Sequence, residues 1–333
     1  MNDHVRFGLL GCASIARRRT LPAMLEAPGV RVAAVASRSP DRASRLAGEF
    51  GGRPLGYEEL LAAPDVDAVY VPVPVGVRAA WARAALDAGK HVLVEKPLAG
   101  NTDEARDLME RATACGLLLR ENFMFLHHHQ HAKAARWVSP DGAGALRSVQ
   151  GTFCIPPLPD SDIRYRADLG GGALGDLGVY PIRAAQLFLG DGLRVAGAVL
   201  REDPRLGVDL SGQALLVSDG GVPATVRFGM EHSYSCRYEL WGEWARLVLD
   251  RAFTPPDDHQ PVLRVEDQGG VRRYGLAPDR QFVRAVGSFA GAVLAGEHAG
   301  SPDQVPRLAS ALRNVQLVDE IRHVAVRVPS DPG

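Results

Sequence analysis

Apolar residues fall in two alternating rhythms along the first third of the chain. Val5–Leu10, Val30–Ala36, Val66–Val71, His91–Val94 and Leu117–Leu119 are short, nearly unbroken apolar runs. Between them, Ile15–Leu25, Asp41–Phe50, Val77–Ala88 and Asp103–Ala114 carry apolar residues at helical spacing, and Gly89 and Gly116 close the last two. Fully buried strands read as continuous apolar runs, whereas amphipathic helices repeat near every third or fourth residue. The alternation predicts βαβ units and a parallel sheet covered on both faces.

The rhythm then changes. Val149–Ile155 is strand-like and enters a proline-rich loop, Pro156-Pro157-Leu158-Pro159. Gly170-Gly171-Gly172 precedes a helix over Ala173–Leu189. Strand candidates follow at Arg194–Leu200, Gln213–Val217, Ala224–Met230, Tyr234–Trp241 and Ala245–Asp250, with turns such as Asp219-Gly220-Gly221 between them. Helical spacing returns at Gln281–Ala295 and Pro306–Val324. The second part is therefore expected to be α+β, a large sheet with helices on one side. A chain of 333 residues suits two domains. The division expected is 1–122 and 123–333.

Composition narrows the function classes. With 46% apolar and 23% charged residues the chain has ample core material, which excludes disorder as its theme. A net charge of −1 gives no broad basic footprint, so neither nucleic acid nor an anionic membrane is an expected partner. No apolar run approaches the roughly 20 residues of a membrane helix. Met1-Asn2-Asp3-His4 shows no secretory n-region, so a cytoplasmic location is expected. Cys12, Cys115, Cys154 and Cys236 are widely spaced and read as free thiols.

Gly11-Cys12-Ala13-Ser14-Ile15-Ala16 lies where the first strand turns into a helix. It matches the dinucleotide fingerprint G-x-G-x-x-G/A with Ala13 in place of the second glycine. Arg17, Arg18 and Arg19 follow, read either as a solvated basic face or as support for a diphosphate. NAD-binding sheets usually end the second strand with an acid that holds the ribose 2′-hydroxyl. Here the sequence is Val35-Ala36-Ser37-Arg38-Ser39. A hydroxyl and a guanidinium suit a 2′-phosphate, so NADP is the expected cofactor and NAD the alternative.

Ala88-Gly89-Lys90-His91-Val92-Leu93-Val94-Glu95-Lys96-Pro97 completes the pattern. With the glycine turn, it resembles the Gfo/Idh/MocA oxidoreductases. That resemblance implies a Rossmann domain, a second domain with a large, mostly antiparallel sheet, and a cis Lys96–Pro97 bond. It also implies homo-oligomer contacts, dimer or tetramer, through that sheet. Glu121-Asn122-Phe123-Met124-Phe125-Leu126-His127-His128, Ile163-Arg164-Tyr165-Arg166 and Gly170–Pro181 are similar to the 3-ketoreductases of thymidine-diphosphate-linked deoxysugars. The activity so implied is reduction of the C3 ketone of a 3,4-diketo-2,6-dideoxyhexose in antibiotic sugar biosynthesis. Two departures stand out: Arg78 and Tyr180 occupy positions where many relatives carry His.

The resemblance marks Lys96, Asp176 and Tyr180 as the catalytic set. Gly11, Cys12, Ala13, Ser14, Ile15, Ser37, Arg38, Pro72, Pro74, Glu95 and Lys96 are the expected cofactor residues, and Asn122, Tyr165, Asp176 and Tyr180 the expected substrate residues. Ketone reduction needs a cation near the developing oxyanion and a proton donor. Lys96 ends a parallel strand, where open α/β sheets bind ligands. Asp176 and Tyr180 are four residues apart and share one face of a regular helix. A phenol beside an ammonium has a lowered pKa and makes a serviceable acid. His127, His128, His129 and His131 supply no third ligand in sequence, so no metal is expected. Two other readings remain: an NAD-dependent dehydrogenase acting on a hydroxyl of a glycoside or aminoglycoside, and a non-catalytic NADP-binding regulator.

Overall fold

The computed structural model describes residues 3–139 and 142–330; Met1 and Asn2 of the N-terminal segment read above lie outside them. The chain divides into two compact units, Met1–His127 with Gln281–Leu312, and His128–Arg280 with Arg313–Gly333.

The first unit is built on strands β1 (Val5–Leu10), β2 (Val30–Ala36), β3 (Arg53–Leu55), β4 (Ala68–Val71), β5 (His91–Glu95) and β6 (Leu119–Asn122). They form one sheet in the order β3-β2-β1-β4-β5-β6, every neighbouring pair parallel. Helices α1 (Leu21–Glu26), α2 (Pro40–Phe50), α3 (Tyr57–Ala62), α4 (Val75–Asp87) and α5 (Thr102–Cys115) make the crossovers. The expected parallel sheet is thus present. The pair β3 and α3 is an addition, invisible to periodicity: β3 is three residues long, contains Pro54 and is largely exposed, and α3 has fewer than two turns. The last strand lies later than Leu117–Leu119, because its residues are polar ones with buried partners. Arg120 on β6 donates to Gln304 Oε1 at 2.9 Å and to Ser288 Oγ at 3.1 Å, and burial lowers its pKa to about 10. Helix α8 (Gln281–Leu294) follows the second unit in sequence but packs on the first, Phe289 meeting Phe7 at 5.6 Å between ring centroids.

The second unit holds α6 (His129–Trp137), β7 (Ser148–Cys154), α7 (Val179–Leu189), β8 (Arg194–Asp203), β9 (Val208–Val217), β10 (Pro223–Gly229), β11 (Ser235–Trp241), β12 (Arg246–Asp250), β13 (Val262–Asp267) and β14 (Gly270–Gly275). Its last elements are the end of α9 (Val305–Val324) and β15 (Val326–Pro329). The nine strands run β14-β13-β12-β11-β7-β10-β9-β8-β15, antiparallel except for the pairs β7–β10 and β8–β15. The large, mostly antiparallel sheet expected from the resemblance is there. The hairpin β13–β14 escaped the pattern because Arg264, Glu266, Asp267, Arg272 and Arg273 break its apolar alternation.

Both functionally interesting helices start unusually. Residues Ala16–Thr20 and Leu174–Gly178 are wound as π turns, with Leu21 N donating to Ala16 O and Val179 N to Leu174 O. Each is followed within a few residues by a proline, Pro22 or Pro181, which has no N–H for the carbonyl four residues back. Widening the turn at such a place is a recurrent feature of functional helices.

Candidate active site

In the first unit the strand order reverses between β1 and β4, and open α/β sheets bind ligands outside the carboxyl ends at such a point. Gly11 ends β1 at φ +107°, its N–H donating to Ala36 O at 2.9 Å. A Cβ on Gly11 would lie 2.8 Å from Val73 Cγ1 and 3.4 Å from the Tyr57 hydroxyl. Only glycine fits there, for conformation and for room. Gly11→Ala is therefore expected to lose about 1–3 kcal/mol of stability from the strained backbone, read by urea unfolding, together with affinity for a dinucleotide. Cys12, Ala13 and Ile15 are half-buried and Ser14 is exposed, so the turn opens to solvent. Burial pushes the Cys12 thiol up.

Ser37 Oγ accepts from Ser39 N at 3.2 Å, and Ser39 Oγ accepts from Arg42 N at the start of α2. The Arg42 guanidinium reaches back to Cys12 O at 2.8 Å. Burial pushes the Tyr57 hydroxyl up, against the pull of Arg38 and Arg42 nearby. Two exposed guanidinium groups therefore flank the glycine turn and the end of β2. Arg42 was missed from sequence. Its signal is a cation in the first turn of α2, which the helix dipole disfavours unless an anion is present. Of the three earlier arginines, Arg17 pairs with Glu49 on α2 at 2.9 Å, which fits the surface reading.

Pro72 is buried and Pro74 stands as the N-cap of α4. Lys96 follows β5, half-buried, and its bond to Pro97 is cis, as expected. Glu95 was expected to meet the cofactor, yet its carboxylate is turned into the fold. Glu95 Oε1 accepts from the Tyr70 hydroxyl at 2.6 Å and from Asn122 Nδ2 at 2.7 Å, and Tyr70 also meets Thr20 Oγ1 at 2.9 Å. Burial, then Glu95, pushes the Tyr70 hydroxyl well above its ordinary range. Asn122, expected at the substrate, is likewise buried, and its Oδ1 has no hydrogen-bond partner among the described residues.

The second unit carries Tyr165, Asp176 and Tyr180. The Tyr165 hydroxyl accepts from Leu158 N at 3.0 Å and ties down the proline-rich loop. Arg164 donates to both Asp162 and Asp176, and the Asp176 carboxylate foremost holds the guanidinium pKa above its ordinary value. Gly172, at φ +115°, lets the chain pass Asp209: a Cβ there would come within 2.4 Å of Asp209 Oδ1. The half-buried Asp209 carboxylate accepts from Leu174 N at 2.6 Å, and desolvation raises its pKa. This carboxylate fixes the start of the π turn that bears Asp176, a second residue that sequence reading missed. Because Asp176 sits in that π turn, its phase to Tyr180 is not that of a regular helix. The buried Tyr180 ring packs against Phe153 and Phe253, with centroids at 5.1 and 5.6 Å.

His128, His129 and Asp279 also cluster. Asp279 Oδ2 accepts from His129 N at 2.9 Å and meets His129 Nδ1 at 2.7 Å, while His128 Nδ1 caps α6 by accepting from Gln130 N. Asp279 is thus a third possible ligand that the sequence spacing did not show, and the same bonds cap α6. The buried His131 has its pKa lowered to about 3, mainly by burial, and meets the Tyr238 hydroxyl at 3.0 Å.

Comparison with known proteins agrees with this architecture. The NAD-binding Rossmann-fold domain of the Gfo/Idh/MocA oxidoreductase family matches residues 5–123, and the family's C-terminal domain matches residues 131–248. A dTDP-3,4-didehydro-2,6-dideoxy-alpha-D-glucose 3-reductase of Actinomadura kijaniata is 49% identical, covering 96% of this chain and 95% of the relative. The protein of the same name from Streptomyces antibioticus is 47% identical, covering 97% and 98%. The crystal structure of a 3-ketoreductase from Actinomadura kijaniata with NADP and TDP-benzene has a TM-score of 0.94 at 48% identity, covering 98% of this chain and 99% of that one. With both domains matched and such identity along nearly the whole length, the chain belongs to the Gfo/Idh/MocA oxidoreductase family.

Proposed function

We propose that the protein uses NADPH to reduce the C3 ketone of a thymidine-diphosphate-linked 3,4-diketo-2,6-dideoxyhexose. The observation that carries this reading is 47–49% identity, across both domains, to reductases of that activity. It favours reduction over the oxidation of a glycoside hydroxyl. The residues present suit the cofactor: Gly11 gives the close approach a diphosphate needs, Ser37 and Arg38 stand where an NAD enzyme carries an acid, and Arg42 follows in the first turn of α2. The division differs from the expected 1–122 and 123–333 in that residues 281–312 join the first unit; in this reading the first unit supplies the cofactor contacts and the second the sugar and oligomer contacts.

When bound, NADPH supplies the hydride. The Lys96 ammonium opposes the negative charge that gathers on the C3 oxygen. Tyr180 donates the proton to that oxygen, and Asp176, held by Arg164, supplies the carboxylate of the acid–base set. Tyr165 contacts the sugar nucleotide from the loop it anchors. Asn122 acts from beneath through Glu95, as the support of Lys96.

The test is purified protein with NADPH and the diketo-sugar nucleotide, followed by NADPH absorbance and product analysis. Tight NADPH binding without turnover would return the regulator reading. NADPH is expected to be preferred over NADH. Arg42→Ala should reduce that preference by about 1.5–3 kcal/mol, the worth of one hydrogen bond to a charged group. Equal kcat/KM for the two cofactors in the unaltered enzyme would overturn the assignment.

A homo-oligomer is part of this reading. Val199, Leu215, Trp241, Val326 and Val328 lie exposed on one face of the second sheet, a face whose apolar area suits a partner subunit. No helix among the described residues is long and apolar enough to cross a membrane. We place the reaction in the cytoplasm, with the soluble nucleotide pools.

A further inference from the structure

Arg78 is a buried cation, 6% exposed, near the N-terminus of α4. Burial and the helix dipole both disfavour a cation at that place, so the bonds it makes must offset the cost. Two loops at the carboxyl edge of the sheet share this guanidinium. Nε and Nη2 donate to Val73 O at 3.1 and 3.0 Å, and Nη1 donates to Pro97 O at 2.7 Å. Val73 belongs to the loop after β4, and its side chain bounds the Gly11 turn. Pro97 immediately follows Lys96. The remaining backbone around Lys96 is fixed from other sides: Leu98 N donates to Glu121 Oε1 at 2.8 Å, and Glu95 is held by Tyr70 and Asn122.

We propose that Arg78 is a positioning residue for hydride transfer, a fork that locks the loop bounding the glycine turn to the loop carrying Lys96. The fork geometry matters more than the charge. A guanidinium presents donors in fixed directions and bridges two carbonyls at once, whereas an ammonium is a compact point charge on a flexible stem. Release of either carbonyl lets Lys96 and the glycine turn move independently, and misplacement by about 1 Å costs up to 10²-fold in rate. The proposal rests on the ketoreductase reading and on Lys96 as the cation at the ketone.

The experiment compares Arg78→Met and Arg78→Lys with the unaltered enzyme and with Lys96→Ala. It measures kcat, KM for the diketo-sugar nucleotide, NADPH affinity by fluorescence, thermal midpoint, and the isotope effect with NADPH deuterated at the transferred position. Arg78→Met is expected to lower kcat by about 10-fold to 100-fold, with KM moved far less and a larger isotope effect on kcat. A smaller folded fraction would scale kcat but leave the isotope effect alone. Arg78→Lys keeps the charge without the fork and should show the same pattern; it stands in for the methionine variant should that fail to fold. A folded Arg78→Met enzyme with kcat within about threefold, well below the misplacement range, and an unchanged isotope effect would overturn the proposal. So would full turnover in Arg78→Lys. If Lys96→Ala is inactive while Arg78→Met is normal, only the clamp fails; if Lys96→Ala turns over normally, the Lys96 reading fails and the clamp with it.

Discussion

Replacing Lys96 with alanine is expected to remove most turnover and leave the fold standing. Lys96 emerges at the carboxyl end of β5, in the sheet region where ligands bind. The bonds that shape the adjoining backbone run through other groups: Glu95 Oε1, Leu98 N and Pro97 O. Truncation at Cβ leaves those bonds in place, so the loop should keep its course. The rate should respond differently. A cation aimed at charge that forms only in the transition state lowers the barrier without tightening the ground state. By analogy with losing one oxyanion-hole donor, the loss is about 2.7–4 kcal/mol, on the order of 10²–10³ in kcat. Lys96→Arg retains the charge at a different reach and should recover part of it. The check is single-turnover reduction beside thermal unfolding. A folded Lys96→Ala protein with near-unaltered kcat would remove Lys96 from the site.

What the sequence made legible is what depends on neighbours in the chain. The apolar run of β1 ending at Gly11, and that of β5 ending at Glu95-Lys96-Pro97, need no distant residue to be recognised. The missed parts depend on partners far along the chain. Asp209 reveals itself only through Leu174 N, 35 residues away, and Arg120 through Gln304, 184 residues away. Glu95 was read as a cofactor ligand because it lies in a recognisable motif. Its carboxylate faces inward because Tyr70 and Asn122, on the flanking strands β4 and β6, offer donors there. Periodicity also assumes regular winding. Ahead of Pro22 and Pro181 both helices open as π turns, so the four-residue spacing of Asp176 and Tyr180 loses its simple meaning. Arg42 was legible in principle, as a cation against the dipole of α2, but only when weighed with the absence of an acid at the end of β2.

Tyr180→Phe is expected to lower kcat by about 10²–10⁴, the usual contribution of a positioned general acid. The substitution isolates the hydroxyl. The Tyr180 ring is buried against Phe153 and Phe253, and phenylalanine preserves that aromatic packing. Binding of the sugar nucleotide should change much less than kcat, because the ring still shapes its surroundings. A general acid must be protonated to act, so activity of the unaltered enzyme should fall as pH rises through the ionisation of the donor. That limb should vanish from the pH–rate profile of Tyr180→Phe, leaving a lower and flatter curve. Asp176→Asn gives a second reading of the same set. It keeps the shape but removes the charge that Arg164 holds, so it should alter the profile while the Phe153–Tyr180–Phe253 packing is unchanged. If kcat for Tyr180→Phe stays within about threefold, far under the general-acid range, and the limb persists, the phenol only positions the sugar. The proton then comes from Lys96.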